Sequence, residues 1–591
     1  MCGIVGIIGK KNPREYLIKG LDTLEYRGYD SAGIAFLNEK INIIKDVGTI
    51  SHLNEVVPPS LDSSIAIGHT RWATHGVVNK LNSHPHISYH EEFALVHNGV
   101  IENYLLIKEV LVREGYKFKS TTDSEIVVNL IEYYYRKYQN MSTTLEKTLE
   151  TIRGSFAIAL MHVGDEHLYI LKNDSPLLIG ICEDCRMLAS DASAMIDYTD
   201  KFIEIGDYEY GIISKENCDI FSIKGQIVLH KPITKKVDDI KHDKCGFPHY
   251  MLKEIYEIDN VIAKLIKTYF KGEKFSFPLN VKKLITSSDH IIFIACGTSY
   301  HASLIGARYF EKLGIPCSNY IASEWAFSPI IHGKRPLFIL LSQSGETGDL
   351  IHCSKVINEK EYNSLLLTNT SGSTLERLAR YTLNIYAGVE VSVASTKAYV
   401  AEVLMLLLIA KSLNNEIHIK KELNEARKTI VSIREQYLEK IKEIADKIRS
   451  HHSIFYLGRG YDYCFSLEAS LKLKEISYIH SEAIAGGELK HGPIALIDQN
   501  VPVIVFVTDP ICASMMRGNI EEVKARGADV YVFSTEFLSY PDDAVIINDF
   551  PIYLSPIIIS TLAFLLAYYV SLYKGLNVDR PRNLAKSVTV E

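Results

Sequence analysis

Beyond about His249, short apolar runs alternate with glycine- or hydroxyl-bearing turns and helical stretches. No other feature limits the fold as much. Repeated strand–turn–helix units bury their apolar faces by building a doubly wound parallel sheet with helices on both sides. The alternation also repeats itself. Residues 290–295 run into Cys296-Gly297-Thr298-Ser299 and a helix, and residues 453–457 run into Gly458-Arg459-Gly460 and a helix. The run starting at Pro336 is echoed at Pro502, giving offsets of 161 residues (Gly297 to Gly458) and 166 (Pro336 to Pro502). Two α/β halves in tandem are expected, joined by a charged helical segment over 420–450.

The first 240 residues read differently. Strands are predicted at 32–37, 41–47, 64–69, 93–97, 155–162, 168–172 and 226–229, with helices over 13–25, 103–114, 123–138 and 143–153. Many neighbouring strands with helices outside suggest packed, mainly antiparallel sheets in an α+β domain. A charged stretch over 231–249, punctuated by proline and glycine, reads as the linker. The domains expected are therefore 1–240, a linker and leading helix over 241–284, α/β halves over 285–425 and 426–580, and a tail over 581–591.

Composition narrows the classes of function. A net charge of −7 without a basic block argues against nucleic acid or an anionic membrane as the main partner. Ten irregularly spaced cysteines among 591 residues fit a reducing compartment. With neither a basic n-region nor a long apolar run at the N-terminus, a cytoplasmic location is expected. Cys182-Glu183-Asp184-Cys185 lies between two strand-like runs and reads as a hairpin turn rather than a metal site. Residues 557–573 carry no charge, yet Ser560, Thr561 and Ser571 with several aromatic side chains make a buried core helix the better reading than a membrane span.

The chemistry starts at Cys2. Behind a removable methionine, its thiol sits beside its own α-amine, whose pKa lies near about 8, so the amine can take the thiol proton without a histidine partner. Alone, Cys2 could equally be a small residue opening the strand Gly-Ile-Val-Gly-Ile-Ile. Arg71, within His69-Thr70-Arg71-Trp72-Ala73-Thr74-His75-Gly76, suits bidentate carboxylate binding. His97-Asn98-Gly99 closes a predicted strand with a side-chain amide and an unhindered backbone N–H, an oxyanion hole in outline. Thr122-Asp123 opens a helix, where Asp123 could be a ligand or a simple cap.

In the first α/β half, Cys296–Ser299 and Ser342-Gln343-Ser344-Gly345-Glu346-Thr347 place hydroxyls and free N–H groups at helix starts, which suits a phosphate. Neither turn has the lysine of a nucleotide-binding P-loop. The equivalent turns of the second half have lost most hydroxyls and gained Asp509, so only the first half is expected to hold phosphate. On a helix predicted over 466–480, Glu468, Lys472 and Glu475 share one face. Near them in sequence comes the glycine-rich Gly487-Glu488-Leu489-Lys490-His491-Gly492-Pro493. A carboxylate, an amine and a histidine are the groups that proton transfer beside a carbonyl requires.

Cys2-Gly-Ile-Val-Gly, Tyr26-Arg27-Gly28-Tyr29-Asp30-Ser31-Ala32-Gly33, the Gly68–Gly76 motif, His97-Asn98-Gly99 and Thr122-Asp123 together resemble the class II glutamine amidotransferase domain. That resemblance implies an N-terminal-nucleophile fold of four layers, two antiparallel sheets between helices. It implies Cys2 as nucleophile and Asn98 and Gly99 as oxyanion donors. It also implies Arg71 and Asp123 as holders of the glutamine carboxylate and amine, with Thr74 and His75 beside them. The remainder resembles the tandem sugar-isomerase (SIS) domains of the glutamine–fructose-6-phosphate aminotransferase family. The motifs are Ser342–Thr347, Val393-Ala-Ser-Thr-Lys-Ala398, Leu471-Lys-Leu-Lys-Glu-Ile-Ser-Tyr-Ile-His480, Gly487–Pro493 and the tail from Asp579.

By that resemblance Thr298, Ser299, Ser342, Gln343, Ser344 and Thr347 hold a sugar phosphate, and Val393 and Ala585 line its pocket. Glu475 moves a proton between C1 and C2, Lys586 forms a Schiff base with the open-chain ketose, and Glu468 and Lys472 support the site. His491 comes from the neighbouring subunit of a homodimer to assist ring opening, and Trp72 gates an ammonia channel. The substrates implied are L-glutamine and D-fructose 6-phosphate, with no metal and no organic cofactor. The chain departs from the family's pattern at Trp325-Ala326-Phe327 and at Ile258-Asp259, and its linker is short, as in bacterial members. Two rivals fit less. An asparagine-synthase-like enzyme would need a Ser-Gly-Gly-x-Asp loop, and a non-enzymatic sugar-phosphate sensor would not need Cys2, Arg71, Asn98 and Lys586 together.

Overall fold

The structure, a computed structural model, describes residues 2–72, 76–234, 244–414, 416 and 418–588. The chain divides into two compact units, Met1–His242 with Ala585–Val590, and Asp243–Leu584 with Glu591.

In the first unit the period-two alternation of each strand decides the layers. Within the strand Gly3–Ile8, Ile4 and Ile8 face a core shared with Ala94, Val96, Ala157 and Ala159 of a second sheet. Val5 and Ile7 face the opposite way, against Leu17 and Leu21 of the helix Arg14–Leu24. The second sheet turns Phe93, Leu95 and Ile158 outward onto Ile126, Val127 and Leu130 of the helix Asp123–Tyr138. The result is the expected four layers, an eight-stranded and a six-stranded sheet between helices. Pairing within these sheets is antiparallel.

The second unit holds two five-stranded parallel sheets of identical connectivity. The first runs Cys317–Ile321, His290–Ala295, Pro336–Ser342, Asn363–Thr368, Tyr381–Asn384. The second runs His480–Ala485, Ser453–Gly458, Pro502–Val507, Asp529–Thr535, Val545–Ile547. Each is strand order 2-1-3-4-5, so the repeat seen in sequence is a repeat of topology. In such sheets the crevice opens where strands 1 and 3 send their connections to opposite faces, at their carboxyl ends. Cys296–Ser299 and Ser342–Thr347 emerge at that crevice in the first half. The apolar stretch Ile552–Tyr573 is 94% buried in its most apolar window, so it is a core helix of this unit.

Several boundaries differ from expectation. Residues 226–229 form no strand; a turn at Gly225 folds them back, leaving one isolated pairing of Phe221 with Ile227. The helix carrying Glu468 is Tyr461–Ser477, because Gly460 (φ 57°) starts it early and Tyr478, in the left-handed region (φ 60°), ends it; His480 opens the next strand. Ile233–Thr234 pairs with Lys201–Phe202, so part of the expected linker belongs to the first unit, while 235–243 lie outside the described residues. The hairpin expected at Cys182–Cys185 forms between the strands Leu178–Ile181 and Arg186–Ala189. At the departures from the family pattern, Trp325 is buried with its indole N–H on the Ile330 carbonyl, Phe327 is exposed, and Ile258 is buried at a helix start.

Candidate active sites

The first site lies at one end of the space between the antiparallel sheets. Gly3 pairs with Thr70 and Ile4 with His69, which brings the strand Ile65–Arg71 beside the N-terminal strand. Inward-facing positions on three strands continue from apolar to polar. Ile67 is followed two residues on by His69, and Val96 by Asn98, while Ile4 is preceded by Cys2. The Cys2 thiol accepts from the Trp72 backbone N–H at 3.2 Å, and the Asn98 amide Nδ2 donates to the Cys2 carbonyl at 2.9 Å. Burial pushes the thiol up from its ordinary pKa, against the pull of the Trp72 N–H and the Arg71 guanidinium. A resting thiol of this kind needs a base beside it, which is the role read for the α-amine.

Gly99 does not end its strand, as expected from sequence, but lies within Phe93–Ile101 at φ 121°. A Cβ there would meet the Ser155 carbonyl oxygen at 1.9 Å, so only glycine fits. A Cβ on Gly28 would likewise lie 2.6 Å from the Trp72 nitrogen, which ties the Tyr26–Gly33 motif to the cysteine pocket. Asp123 is not the cap of its helix. Thr122 takes that role by accepting from the Glu125 N–H, and the Asp123 carboxylate instead accepts from Ile101 N at 2.9 Å and from Ser124 N at 2.9 Å. Arg71 is buried with Nη2 3.5 Å from the Gly76 carbonyl. Thr74 and His75 lie outside the described residues.

The second site joins the two halves of the second unit. Lys472 is buried and paired with Glu468 at 3.3 Å and Glu475 at 2.7 Å. The Thr298 hydroxyl donates to Glu468 at 3.1 Å and accepts from Lys472 at 2.9 Å. His301 Nδ1 meets the other Glu468 oxygen at 2.8 Å. Burial works against the charge on Lys472, but the two carboxylates outweigh it and hold its pKa above the ordinary lysine value. The pairing favours the ammonium form, which is not a nucleophile.

The hydroxyl-rich turns do not cap their own helices. Thr298 is taken up as described, and Ser299 donates to Glu402 at 2.9 Å. In the other turn Ser342 and Thr347 share a hydrogen bond of 2.9 Å, Gly345 N donates to Ser342 at 3.0 Å, and Glu346 N donates to Ser344 at 3.1 Å. Gln343 lies between them, with its carbonyl near the Thr370 hydroxyl at 3.3 Å. Val393 is held by its N–H on the Asp579 carbonyl at 3.0 Å. The loop before it hangs on the buried Glu254, which accepts from Val391 N at 2.6 Å and Ser392 N at 3.2 Å. In the second half's crevice the buried Asp462 carboxylate accepts from the Thr508 N–H at 2.8 Å and from the hydroxyls of Thr508 and Ser555.

His491 lies exposed on the short turn Glu488–His491. Ala585 and Lys586 belong to the segment that groups with the first unit. His301, Glu402, Glu254 and His69 carry polar contacts that reading the sequence missed. His301 is two residues beyond Ser299 on the same helix start, the one signal that could have found it.

Comparison with known proteins gives the domains and the family of the chain. The SIS domain family model matches residues 284–412 and 447–573, and the glutamine amidotransferase domain model matches 69–197. The glutamine–fructose-6-phosphate aminotransferase (isomerizing) of Oceanobacillus iheyensis is 43% identical over 602 residues, covering 100% of both chains. The chain belongs to the glutamine–fructose-6-phosphate aminotransferase family. The Bacillus subtilis enzyme of that name is 42% identical over 601 residues, again covering 100% of both chains. The solved C-terminal domain of glucosamine–fructose-6-phosphate aminotransferase from Francisella tularensis is 33% identical with a TM-score of 0.55, covering 58% of this chain and 100% of its own. Membership in the family accounts for an N-terminal-nucleophile domain and two parallel-sheet domains in one chain.

Proposed function

We propose that the protein converts D-fructose 6-phosphate and L-glutamine to D-glucosamine 6-phosphate and L-glutamate. Cys2 Sγ attacks the glutamine amide carbon after passing its proton to the α-amine exposed by loss of methionine. The negative charge of the tetrahedral intermediate falls to Asn98 Nδ2 and the Gly99 N–H. Ammonia leaves with that proton, and water releases glutamate from the thioester. Arg71 and Asp123, with Thr74 and His75, hold the substrate's carboxylate and amine.

In the sugar centre Ser342, Gln343, Ser344 and Thr347 hold the phosphate, with Thr298 and Ser299 at the neighbouring turn and Val393 and Ala585 at the pocket wall. Lys586 condenses with the C2 ketone and loses water. Ammonia, released past Trp72, displaces the lysine, and Glu475 carries a proton from C1 to C2 to give the aldose. Lys472, paired with both Glu468 and Glu475 and favoured as the ammonium, supports this assignment, because it leaves the Schiff base to another lysine. The second half's crevice, where the Asp462 carboxyl already takes up the Thr508 N–H and the hydroxyls of Thr508 and Ser555, supports a single phosphate site. An exposed His491 supports a homodimer in which each copy lends this residue to the other.

The observation that carries the reading is the thiol of Cys2 held at 3.2 Å from the Trp72 N–H with the Asn98 amide on its own residue. The purified protein should form glucosamine 6-phosphate and glutamate in equal amounts. Cys2→Ala should lower glutamine hydrolysis by about 10⁴-fold or more, while fructose 6-phosphate still binds. Comparable glutamine hydrolysis by the variant would remove Cys2 from the mechanism.

A further inference from the structure

Four buried histidines stand behind the cysteine, and the chemistry above uses none of them: His69, His84, His86 and His97. His69 is fully buried and lies on the strand next to the N-terminal one, at the position paired with Ile4. Its Nε2 is 3.0 Å from the His97 carbonyl oxygen and 3.0 Å from Asn98 Oδ1. A backbone carbonyl can only accept, so this nitrogen must carry a proton. The Asn98 atom that shares the proton must then also be an acceptor. That fixes which way the carboxamide faces: its oxygen toward His69 and its Nδ2 toward Cys2, where it is 2.9 Å from the carbonyl.

The imidazole is itself held. It stacks on His84 with ring centres 4.1 Å apart and planes 15° from parallel. His84 Nδ1 accepts from the His97 N–H at 3.2 Å, so the strand that carries Asn98 is tied to the same stack. His86 meets His84 edge-on at 4.7 Å and has its Nε2 3.1 Å from the Thr122 hydroxyl, at the cap of the Asp123 helix. Burial keeps these rings neutral: it lowers His69 to about 3, and it lowers His84 and His86 well below the ordinary value. The Arg71 guanidinium nearby opposes a second proton on His69, as a charge on the His97 ring would. A neutral ring with one N–H is therefore kept across the working pH range.

We propose that His69 is a positioning residue of the glutaminase centre, whose Nε2–H holds the Asn98 carboxamide with its donor turned toward the oxyanion formed at Cys2. The inference rests on the function proposed above and adds a residue to it. A rotated amide would present oxygen to the developing negative charge, which is repulsive where the native orientation is attractive. The advantage appears only as the oxyanion forms, so it should enter kcat rather than KM.

The test compares glutamine hydrolysis by the full-length wild type with His69→Phe, His69→Gln, Asn98→Ala and the double variant His69→Phe/Asn98→Ala. Phenylalanine preserves the stack without a donor, and glutamine places an N–H near the Nε2 position. His69→Phe should lose about 10- to 100-fold in kcat with KM within about threefold, and His69→Gln should recover most of it. Asn98→Ala and the double variant should be equally slow, because a residue acting through Asn98 has nothing left to act on.

Multiplicative losses in the double variant, or full kcat in His69→Phe, would overturn the inference. If the Phe variant does not fold, His69→Gln decides: kcat near wild type supports the donor role, and a loss as large as that of Asn98→Ala overturns it. A wild-type protein without glutamine hydrolysis would instead refute the proposed function.

Discussion

Around Cys2 burial keeps the imidazoles of His69, His84 and His86 neutral, whereas around Lys472 a buried ammonium is paired with carboxylates. The cysteine centre is lined by imidazoles, hydroxyls and amides whose hydrogen bonds fix their orientation. The sugar centre buries an ammonium between two carboxylates, with Thr298 and His301 on the carboxylate that is fully enclosed. The chemistry explains the contrast. A thiol attacking an amide needs dipoles already aimed at one developing charge. Moving a proton between adjacent carbons needs a base that can gain and lose it, held by counter-charges that do not titrate.

The contrast can be broken first with acid. His69, His84 and His86 are neutral in the fold but charge in the unfolded chain below about pH 6.5. Unfolding of the first unit then takes up protons, so its stability is full above that pH and falls as the pH drops. Three such groups give a slope of up to ~4 kcal/mol per pH unit. Lys472 behaves in the opposite sense: its stabilisation is complete below about pH 10.4 and is lost only as pH rises past its raised folded value. Chemical denaturation at pH 7 and pH 5 should therefore show the glutaminase unit weakening while the sugar-isomerase unit does not. Equal weakening of both would mean that the histidines are not held neutral.

Removing the charge instead should single out the other unit. Lys472→Met leaves Glu468 and Glu475 facing one another without their cation, and breaking a buried pair this way costs about 3–5 kcal/mol. Thermal unfolding should show the second unit destabilised and amino-sugar formation lost, with glutamine hydrolysis retained. A variant with an unchanged second transition would show that the cluster is solvated rather than buried.

The four layers and the tandem sheets follow from period-two alternation and from strand–turn–helix spacing, which are local and were legible. Thr122-Asp123 was legible as a helix start, but which residue caps it depended on Ile101, a strand end 22 residues away. His69 sits inside a motif read for Arg71, and its role depends on a contact across the two sheets. His301 is not marked by the hydroxyl pattern of its turn, because its role depends on Glu468, 167 residues away in the other half. The helix of Glu468 was placed five residues late because its start depends on a backbone conformation at Gly460 that spacing does not encode.

A smaller effect sharpens the comparison within the second unit, between its two halves. Ser344→Ala with Thr347→Ala removes two hydroxyls from the first half's turn, each worth about 1.5–3 kcal/mol against a charged group. Fructose 6-phosphate affinity, measured by calorimetry, should fall at least about tenfold, with little change for unphosphorylated fructose. The same loss for both sugars would place the phosphate elsewhere.

The most direct test follows the nitrogen. Glutamine labelled with ¹⁵N at the side-chain amide, incubated with fructose 6-phosphate and the purified protein, should deliver its label to the C2 amine of glucosamine 6-phosphate, one nitrogen for each glutamate formed. Glutamate produced with the label only in free ammonium, and no labelled amino sugar under any substrate ratio, would contradict the account.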